Sequence, residues 1–131
     1  MRTHLLLLLL SGSLFCAAQS DSTRTLGPLI HFASVMHDYG TIEIGADGRC
    51  SYDFTNTGDA PLIITACRSS CGCVVGSCSR EPVMPGGMGT VTVRYDTYRL
   101  GPFRKTVTVE SNAANEPTVV LHLKGEVKGA P

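Results

Sequence analysis

The sequence predicts an all-β fold, a single immunoglobulin-like antiparallel β-sandwich of about seven strands. Short segments alternate in polarity with a period of two. In Arg49–Asn56, for example, Cys50, Tyr52 and Phe54 share one face. Clusters of turn-forming residues separate these segments at regular intervals. No segment of useful length has the apolar spacing of an amphipathic helix, and these observations together favour two packed sheets.

Seven segments are predicted as strands: Leu29–Met36, Arg49–Asn56, Leu62–Ala66, Cys73–Val75, Thr90–Asp96, Phe103–Glu110 and Thr118–Val127. In the last three, alternate apolar residues are predicted to face the core: Val91, Val93, Tyr95, Val107, Val109, Val119, Leu121 and Leu123. His37–Gly48 is predicted to turn twice. The chain has no tryptophan, so the Cys–Trp–Cys pattern of antibody domains is absent. The predicted architecture is therefore Ig-like only in the broad sense.

Segments rich in Gly, Pro, Asn and Asp are predicted to have structural roles as turns. The residues assigned to them are Asn56, Gly58, Pro61, Pro85, Gly86, Gly101 and Pro102. Gly58 is expected to adopt a positive φ, and the Asn56 side chain is expected to bond local backbone groups. The segment PGGMG lacks the Lys-Ser/Thr end of a phosphate-binding loop, which excludes that function.

Residues 1–18 have the features of a secretory signal peptide. Arg2 precedes an apolar run of 14 residues, Leu5–Ala18, which is shorter than the roughly 20 residues of a membrane span. A lipid anchor at Cys16 is disfavoured, because the bulky Phe15 lies where lipoprotein signals carry a small residue. We therefore expect cleavage after Ala18 and export to the periplasm or the extracellular space, with no membrane span.

Cleavage would leave 113 residues, which we divide into a linker (19–28), one domain (29–128) and a tail (129–131). The signal removes one of eleven basic residues and none of eleven acidic residues, so the mature net charge is −1. No run of like charges is present, and neither a nucleic-acid footprint nor affinity for an anionic membrane is predicted.

Six motifs occur in a fixed order along the chain: HDYGTI (37–42), FTNTGDAPLIIT (54–65), SCGC (70–73), EPVMPGGMGTVTVRYD (81–96), GPFRKTVTVESN (101–112) and LHLKGEV (121–127). The series resembles the bacterial secreted family known as domain of unknown function 1573, a relative of PapD-like and cilium-associated Ig-like domains. The resemblance covers about residues 30–128. It implies an Ig-like sandwich of the envelope or extracellular space, and it supplies no reaction.

Four cysteines fall within the twelve residues of CRSSCGCVVGSC, residues 67–78, here called the cysteine segment. Export makes disulfides the first expectation for them. In the family, Cys71 and Cys73 form the motif pair, while Cys67 and Cys78 are additions, which implies that Cys67 pairs with Cys78. A bridge between Cys71 and Cys73 needs a bend at Gly72, since an extended strand would separate their Cα atoms by about 6.6 Å.

The fifth cysteine of the mature chain is Cys50, which alternates toward the core with Tyr52 and Phe54. It is expected to be a buried free thiol that packs as a small apolar residue. If Cys50 instead faces the cysteine segment, the pairing above would differ.

Two other interpretations of the cysteine segment remain open. Cys67, Cys71, Cys73 and Cys78 could ligate zinc or copper, which accept thiolate ligands. Their spacing does not reproduce two C-x₂-C pairs, although a C-x-C pair suits Cu⁺ better than Zn²⁺. Thiol catalysis is less favoured, because the segment has neither the C-x-x-C of thioredoxins nor a helix to activate a thiol.

From the sequence we expect a protein that is not an enzyme and needs no cofactor. Its predicted role is a protein-binding or structural module of the bacterial cell envelope, with another envelope protein as partner. An exposed edge strand could recruit that partner by β-augmentation. The alternative is a copper- or zinc-binding protein that uses the cysteine segment.

Overall fold

The computed structural model describes residues 12–13 and 26–130. Its strands are β1 (Ile30–Phe32), β2 (Met36–Glu43), β3 (Arg49–Asn56), β4 (Ile64–Ser69), β5 (Val74–Cys78), β6 (Met88–Tyr95), β7 (Gly101–Ser111) and β8 (Thr118–Lys128). The first sheet has the order β1-β3-β6-β5 and the second has the order β2-β8-β7-β4. This confirms the predicted Ig-like sandwich, with eight strands where about seven were expected.

The predicted signal peptide lies outside the described residues, apart from Gly12 and Ser13, and so does most of the predicted linker. Cys16 and the predicted cleavage site are therefore not described. Within the described part of the chain, no helix is long and apolar enough to cross a membrane.

The core lies between the two sheets and is built from alternate residues of the strands. In β3, Cys50, Tyr52 and Phe54 are buried while the residues between them face solvent. All eight residues predicted to point inward from β6, β7 and β8 are buried as well. At one end of the core, the rings of Tyr95 and Phe103 stack with centroids 3.8 Å apart. The period-two pattern therefore identified the buried faces of β3, β6, β7 and β8.

The main correction concerns His37–Gly48, which was predicted to turn twice. Residues up to Glu43 form β2 instead, and the strand pairs parallel to β8 with an irregularity between Asp38 and Thr41, where Gly40 has a φ of 65°. The expectation of a purely antiparallel sandwich is thus wrong for this pair. The sequence signal was weak because β2 is an edge strand with no fully buried residue and Gly40 interrupts its alternation.

The predicted first strand, Leu29–Met36, is divided between the two sheets. β1 pairs with β3 in the first sheet, and Met36 begins β2 in the second. The chain crosses between the sheets at residues 33–35, where the Ser34 hydroxyl donates a hydrogen bond to the Met36 carbonyl over 3.0 Å. The mostly apolar segment Leu29–Met36 therefore contributes to both sheets, and its sequence does not reveal where the chain crosses between them.

The turn after β3 depends on Asn56, whose side chain is buried. Its Oδ1 accepts hydrogen bonds from the N–H groups of Leu29 (3.3 Å) and Gly58 (3.0 Å), and its Nδ2 donates to the carbonyls of Ala60 (2.7 Å) and Val83 (2.9 Å). The predicted bonding of Asn56 to local backbone is present, and it extends to two distant segments.

Two other turn predictions are wrong in detail. Gly58 is not among the glycines with positive φ. It is required because a Cβ there would overlap the Gly27 carbonyl oxygen, so the reason is close backbone approach. Gly101 and Pro102 do not form the reversal, since they are the first residues of β7. Gly86, in contrast, has a φ of 79° in the turn that contains Pro85.

Candidate functional site

The four edge strands of the sandwich are β1 and β5 in the first sheet and β2 and β4 in the second. An edge strand carries backbone N–H and C=O groups that its own sheet leaves unpaired, and these groups can pair with another chain. Which edge is open decides where this fold can accept a strand.

The edge of β1 is short and partly covered. The strand has three residues, and the Asn115 side chain, from the loop between β7 and β8, bonds both outward groups of Ile30. Asn115 Oδ1 accepts from the Ile30 N–H at 3.0 Å, and Nδ2 donates to the Ile30 carbonyl at 2.9 Å. The side chain thus occupies the place that an incoming strand would take.

The edges of β4 and β5 face each other and are joined by a disulfide between Cys67 and Cys78, with the Cα atoms 6.4 Å apart. An additional strand between them would need about 9.6 Å, twice the usual strand spacing. Gly76 permits this closeness, since a Cβ there would lie 3.2 Å from a Val107 methyl group and 3.6 Å from Cys67 Cβ. This flank of the sandwich is therefore closed covalently.

Among the described residues, the edge of β2 is bonded by a side chain at its first residue alone, where the Ser34 hydroxyl accepts from the Met36 N–H (3.3 Å) and donates to the Met36 carbonyl (3.0 Å). The His122 N–H donates to the Val35 carbonyl (2.7 Å) and the Ile44 N–H donates to the Lys128 carbonyl (2.8 Å). Because alternate residues of a parallel strand bond to the same neighbour, these two bonds fix which peptide groups face β8. Beyond Met36, the outward peptide groups belong to Asp38, Thr41 and Glu43, and of these the Glu43 carbonyl accepts from the Ala46 N–H (3.0 Å).

Apolar side chains lie at both ends of this open edge. Val35 lies just before β2 and Met36 is its first residue, and they are 41% and 43% exposed. Ile44, just after the strand, is 37% exposed. Between these apolar ends lies a charged pair, in which the Asp38 carboxylate is 4.0 Å from the Lys124 ammonium. The β2 edge thus combines free backbone groups with exposed apolar contacts.

The second feature is the turn between β4 and β5, which holds the other disulfide, between Cys71 and Cys73. The turn brings the two Cα atoms to 5.3 Å, and the Val74 N–H donates to the Cys71 carbonyl. Cys73 is 2% exposed, whereas Cys71 is half-buried and Gly72 is exposed. The two cysteines of this bridge therefore differ in their exposure to solvent.

With both bridges formed, the cysteine segment offers no free thiolate to a metal. Cys50 is the free cysteine of the described chain and lies in the core, on β3. Within residues 26–130, no group of three or more His, Cys, Asp or Glu side chains is arranged to hold a metal ion. The zinc or copper alternative therefore stays a prediction that concerns the reduced chain.

A cleft of about 610 Å³ adjoins the Cys71–Cys73 turn and is lined by Cys73, Arg49 and Arg94, among others. Arg49 and Arg94 lie directly opposite each other on β3 and β6, where like charges repel. Asp47 offsets one of them, at 3.6 Å from Arg49. Arg94 forms no ion pair with any described residue, and because Asp47 and Asp96 also line the cleft, its lining carries both signs of charge.

Inside the sandwich, two tyrosine hydroxyls bond to backbone across the core. Tyr39 donates to the Gly48 carbonyl and Tyr52 donates to the His122 carbonyl, each at 2.6 Å. Burial, together with the neighbouring Cys50, raises the pKa of Tyr39 and the pKa of Tyr52 well above the ordinary value of 10.0. Both hydroxyls therefore stay protonated in the folded state at pH values where free tyrosine ionises.

These tyrosines predict a loss of stability at alkaline pH. Below pH 10 both are neutral in the folded and unfolded states; above it, only the unfolded state releases the protons. The free energy of unfolding should therefore fall above pH 10, by up to about 1.4 kcal/mol per pH unit for each tyrosine. Urea unfolding followed by circular dichroism from pH 8 to 11 measures this. Burial also raises the pKa of Tyr95, so Tyr52→Phe should make the slope shallower without abolishing it, and an unchanged slope would contradict the assignment.

The strand order of the two sheets defines an immunoglobulin-like sandwich. The chain belongs to the family described as protein of unknown function (DUF1573), whose model matches residues 30–127. This confirms the resemblance seen in the sequence motifs. No curated protein matches the chain.

Solved structures with a similar fold include bacterial and human proteins. A protein of unknown function from Porphyromonas gingivalis W83 is 16% identical with a TM-score of 0.69, over 83% of this chain and 51% of that chain. The PapD-like domain 7 of human CEP192 is 14% identical with a TM-score of 0.64, over 78% and 87%. The Vibrio cholerae VesB protease is 13% identical with a TM-score of 0.63, over 74% and 31%.

At these identities the similarity establishes the fold alone. The chain spans about half the length of the Porphyromonas gingivalis protein and about a third of the protease. A functional role must therefore be argued from this chain's own residues. The two features that carry such an argument are the open β2 edge and the cysteine segment.

Proposed function

We propose that this protein is an exported, non-catalytic Ig-like module of the cell envelope that binds another envelope protein through the edge of β2. The observation that carries the proposal is the contrast between edges: Asn115 caps β1, a disulfide closes the β4–β5 flank, and β2 keeps outward peptide groups. The two disulfides support an oxidising compartment, where such bridges persist.

Strand addition suits this edge for two reasons. The outward groups of Asp38 and Thr41 and the Glu43 N–H can form main-chain hydrogen bonds with an extended segment, and such bonds supply affinity in β-augmentation. The exposed Val35 and Ile44 then provide apolar contacts near the two ends. The irregularity near Gly40 shortens each continuous stretch, which limits edge-to-edge association between copies of the chain. We therefore infer a partner segment with apolar residues about eight positions apart.

The experiment begins with a photo-crosslinking residue at Met36, or at Ser77 on β5 as the matched position, introduced in the producing cell. The crosslinked protein is identified by mass spectrometry, purified, and tested for affinity. Glu43→Pro removes one outward N–H of β2 and should weaken binding about tenfold, equivalent to about 1.4 kcal/mol. Ser69→Pro, at an outward position of β4, is the matched control and should bind as the unmodified chain does.

Hydrogen exchange of the complex provides an independent measurement. The amides of Asp38, Thr41 and Glu43 should become protected when the partner binds, because they would donate to its carbonyl groups. Protection confined to another face, or an equal loss of affinity in Ser69→Pro and Glu43→Pro, would contradict binding at β2.

A further inference from the structure

The two disulfides differ in what they hold together. Cys67–Cys78 spans 11 positions and ties strands of different sheets. Cys71–Cys73 spans two positions inside one turn, so opening it separates no pair of strands. Gly72, between its two cysteines, is exposed, and a Cβ at that position would have no atom within 4 Å. The small bridge is thus placed where it can open without disturbing the sandwich.

We propose that Cys71–Cys73 is a thiol–disulfide exchange site, which passes its disulfide to a protein that presents a pair of cysteine thiols, or receives one from a protein disulfide. Three observations carry this: the surface turn that holds the bridge, the unequal exposure of its two cysteines, and the Cys73 N–H directed at Cys71 Sγ. The inference is independent of strand binding at β2.

The unequal exposure sets the direction of attack. A thiolate of the partner reaches Sγ of the half-buried Cys71, because Cys73 is covered. A bond forms between the partner sulfur and Cys71, the Cys71–Cys73 bond breaks, and Cys73 leaves with the electron pair and takes a proton from water. The partner's second thiolate then attacks its own first sulfur and releases Cys71 as a thiolate. The partner is thereby oxidised by two electrons and the Cys71–Cys73 pair is reduced by two.

The local geometry also favours the reverse reaction. The Cys73 N–H points at Cys71 Sγ over 3.3 Å, and a backbone N–H donated to sulfur stabilises a thiolate. In the reduced chain Cys71 is therefore the attacking thiolate and Cys73 is the thiol that resolves the mixed disulfide.

The test uses the purified oxidised chain in glutathione buffers of graded composition. After acid quenching and thiol alkylation, peptide mass spectrometry counts the free thiols at each cysteine, and circular dichroism follows the fold. Cys71 and Cys73 should become free, with the fold intact, at a ratio of reduced to oxidised glutathione at least about tenfold lower than Cys67 and Cys78 require. Opening of both bridges at one ratio, or only on unfolding, would overturn the proposal.

Two single variants test the direction of attack. With oxidised glutathione, Cys73→Ser should form an adduct at Cys71 about tenfold faster than Cys71→Ser forms one at Cys73. Equal rates, or a faster reaction at Cys73, would overturn the assigned roles. If either variant fails to fold, the glutathione titration of the unmodified chain decides the question by itself.

Discussion

Replacing Asn56 with alanine is expected to lower the free energy of unfolding by about 3 kcal/mol. The side chain is fully buried and makes four hydrogen bonds to backbone groups of Leu29, Gly58, Ala60 and Val83. Alanine would leave N–H and C=O groups without partners in a region that water enters poorly, and an unpaired buried group costs about 1–3 kcal/mol. Urea denaturation followed by circular dichroism measures the change.

Asn112 provides a matched control, because its side chain bonds the Ile63 N–H (2.8 Å) and the Pro61 carbonyl (3.2 Å) but is exposed. Water can replace both bonds there, so Asn112→Ala should cost less than about 1 kcal/mol. If the two variants lose equal stability, burial is not what makes Asn56 important, and the turn would then depend on backbone conformation alone.

Where the sequence alone sufficed, the reason was local. The alternation of Cys50, Tyr52 and Phe54 reports burial directly, because every second side chain of a strand faces the same side. The Asn-Thr-Gly-Asp turn likewise follows from residues next to one another. Gly58 shows where local reasoning stops. The sequence shows a glycine in the turn, but the reason a glycine is required there is the close approach of the Gly27 carbonyl, 31 positions away.

The candidate surface could not be predicted because edges are non-local. Asn115 lies between two predicted strands, Phe103–Glu110 and Thr118–Val127, yet its bonds to Ile30 span 85 positions. β2 lacks a buried face, so its residues resembled a loop until β8 was placed beside it. The opposite charges of Asp38 and Lys124 gave no signal either, since their closeness results from the parallel register.

The edge strands of the sandwich are protected in different ways, and the two disulfides of the cysteine segment have separate roles. Cys67 and Cys78 close a flank that would otherwise expose two strands. Cys71 and Cys73 are fixed close together because that closed flank holds both ends of their turn. The structural bridge therefore supports the geometry of the exchangeable one, and its loss should affect both stability and association.

The double variant Cys67→Ala/Cys78→Ala is expected to lose about 3 kcal/mol of stability, from the loop-closure entropy of a loop of this size. Its melting temperature should fall by more than about 10 °C. Cys71→Ala/Cys73→Ala is the matched control, and its much smaller loop predicts a loss of about 1.5 kcal/mol. Calorimetry of the three proteins at neutral pH measures both differences.

Association of the same variants separates the entropic effect from the closing of the flank. Without the Cys67–Cys78 bridge, β4 and β5 can move apart and present unpaired backbone to other copies. Sedimentation should then reveal concentration-dependent oligomers for Cys67→Ala/Cys78→Ala and none for the control pair. If the variant loses stability yet stays monomeric, the bridge acts through chain entropy alone. The argument for binding at β2 assumes that the Cys67–Cys78 bridge prevents β4 and β5 from accepting a strand. That result would remove this assumption, and β4 and β5 would then be candidate sites for partner binding as well.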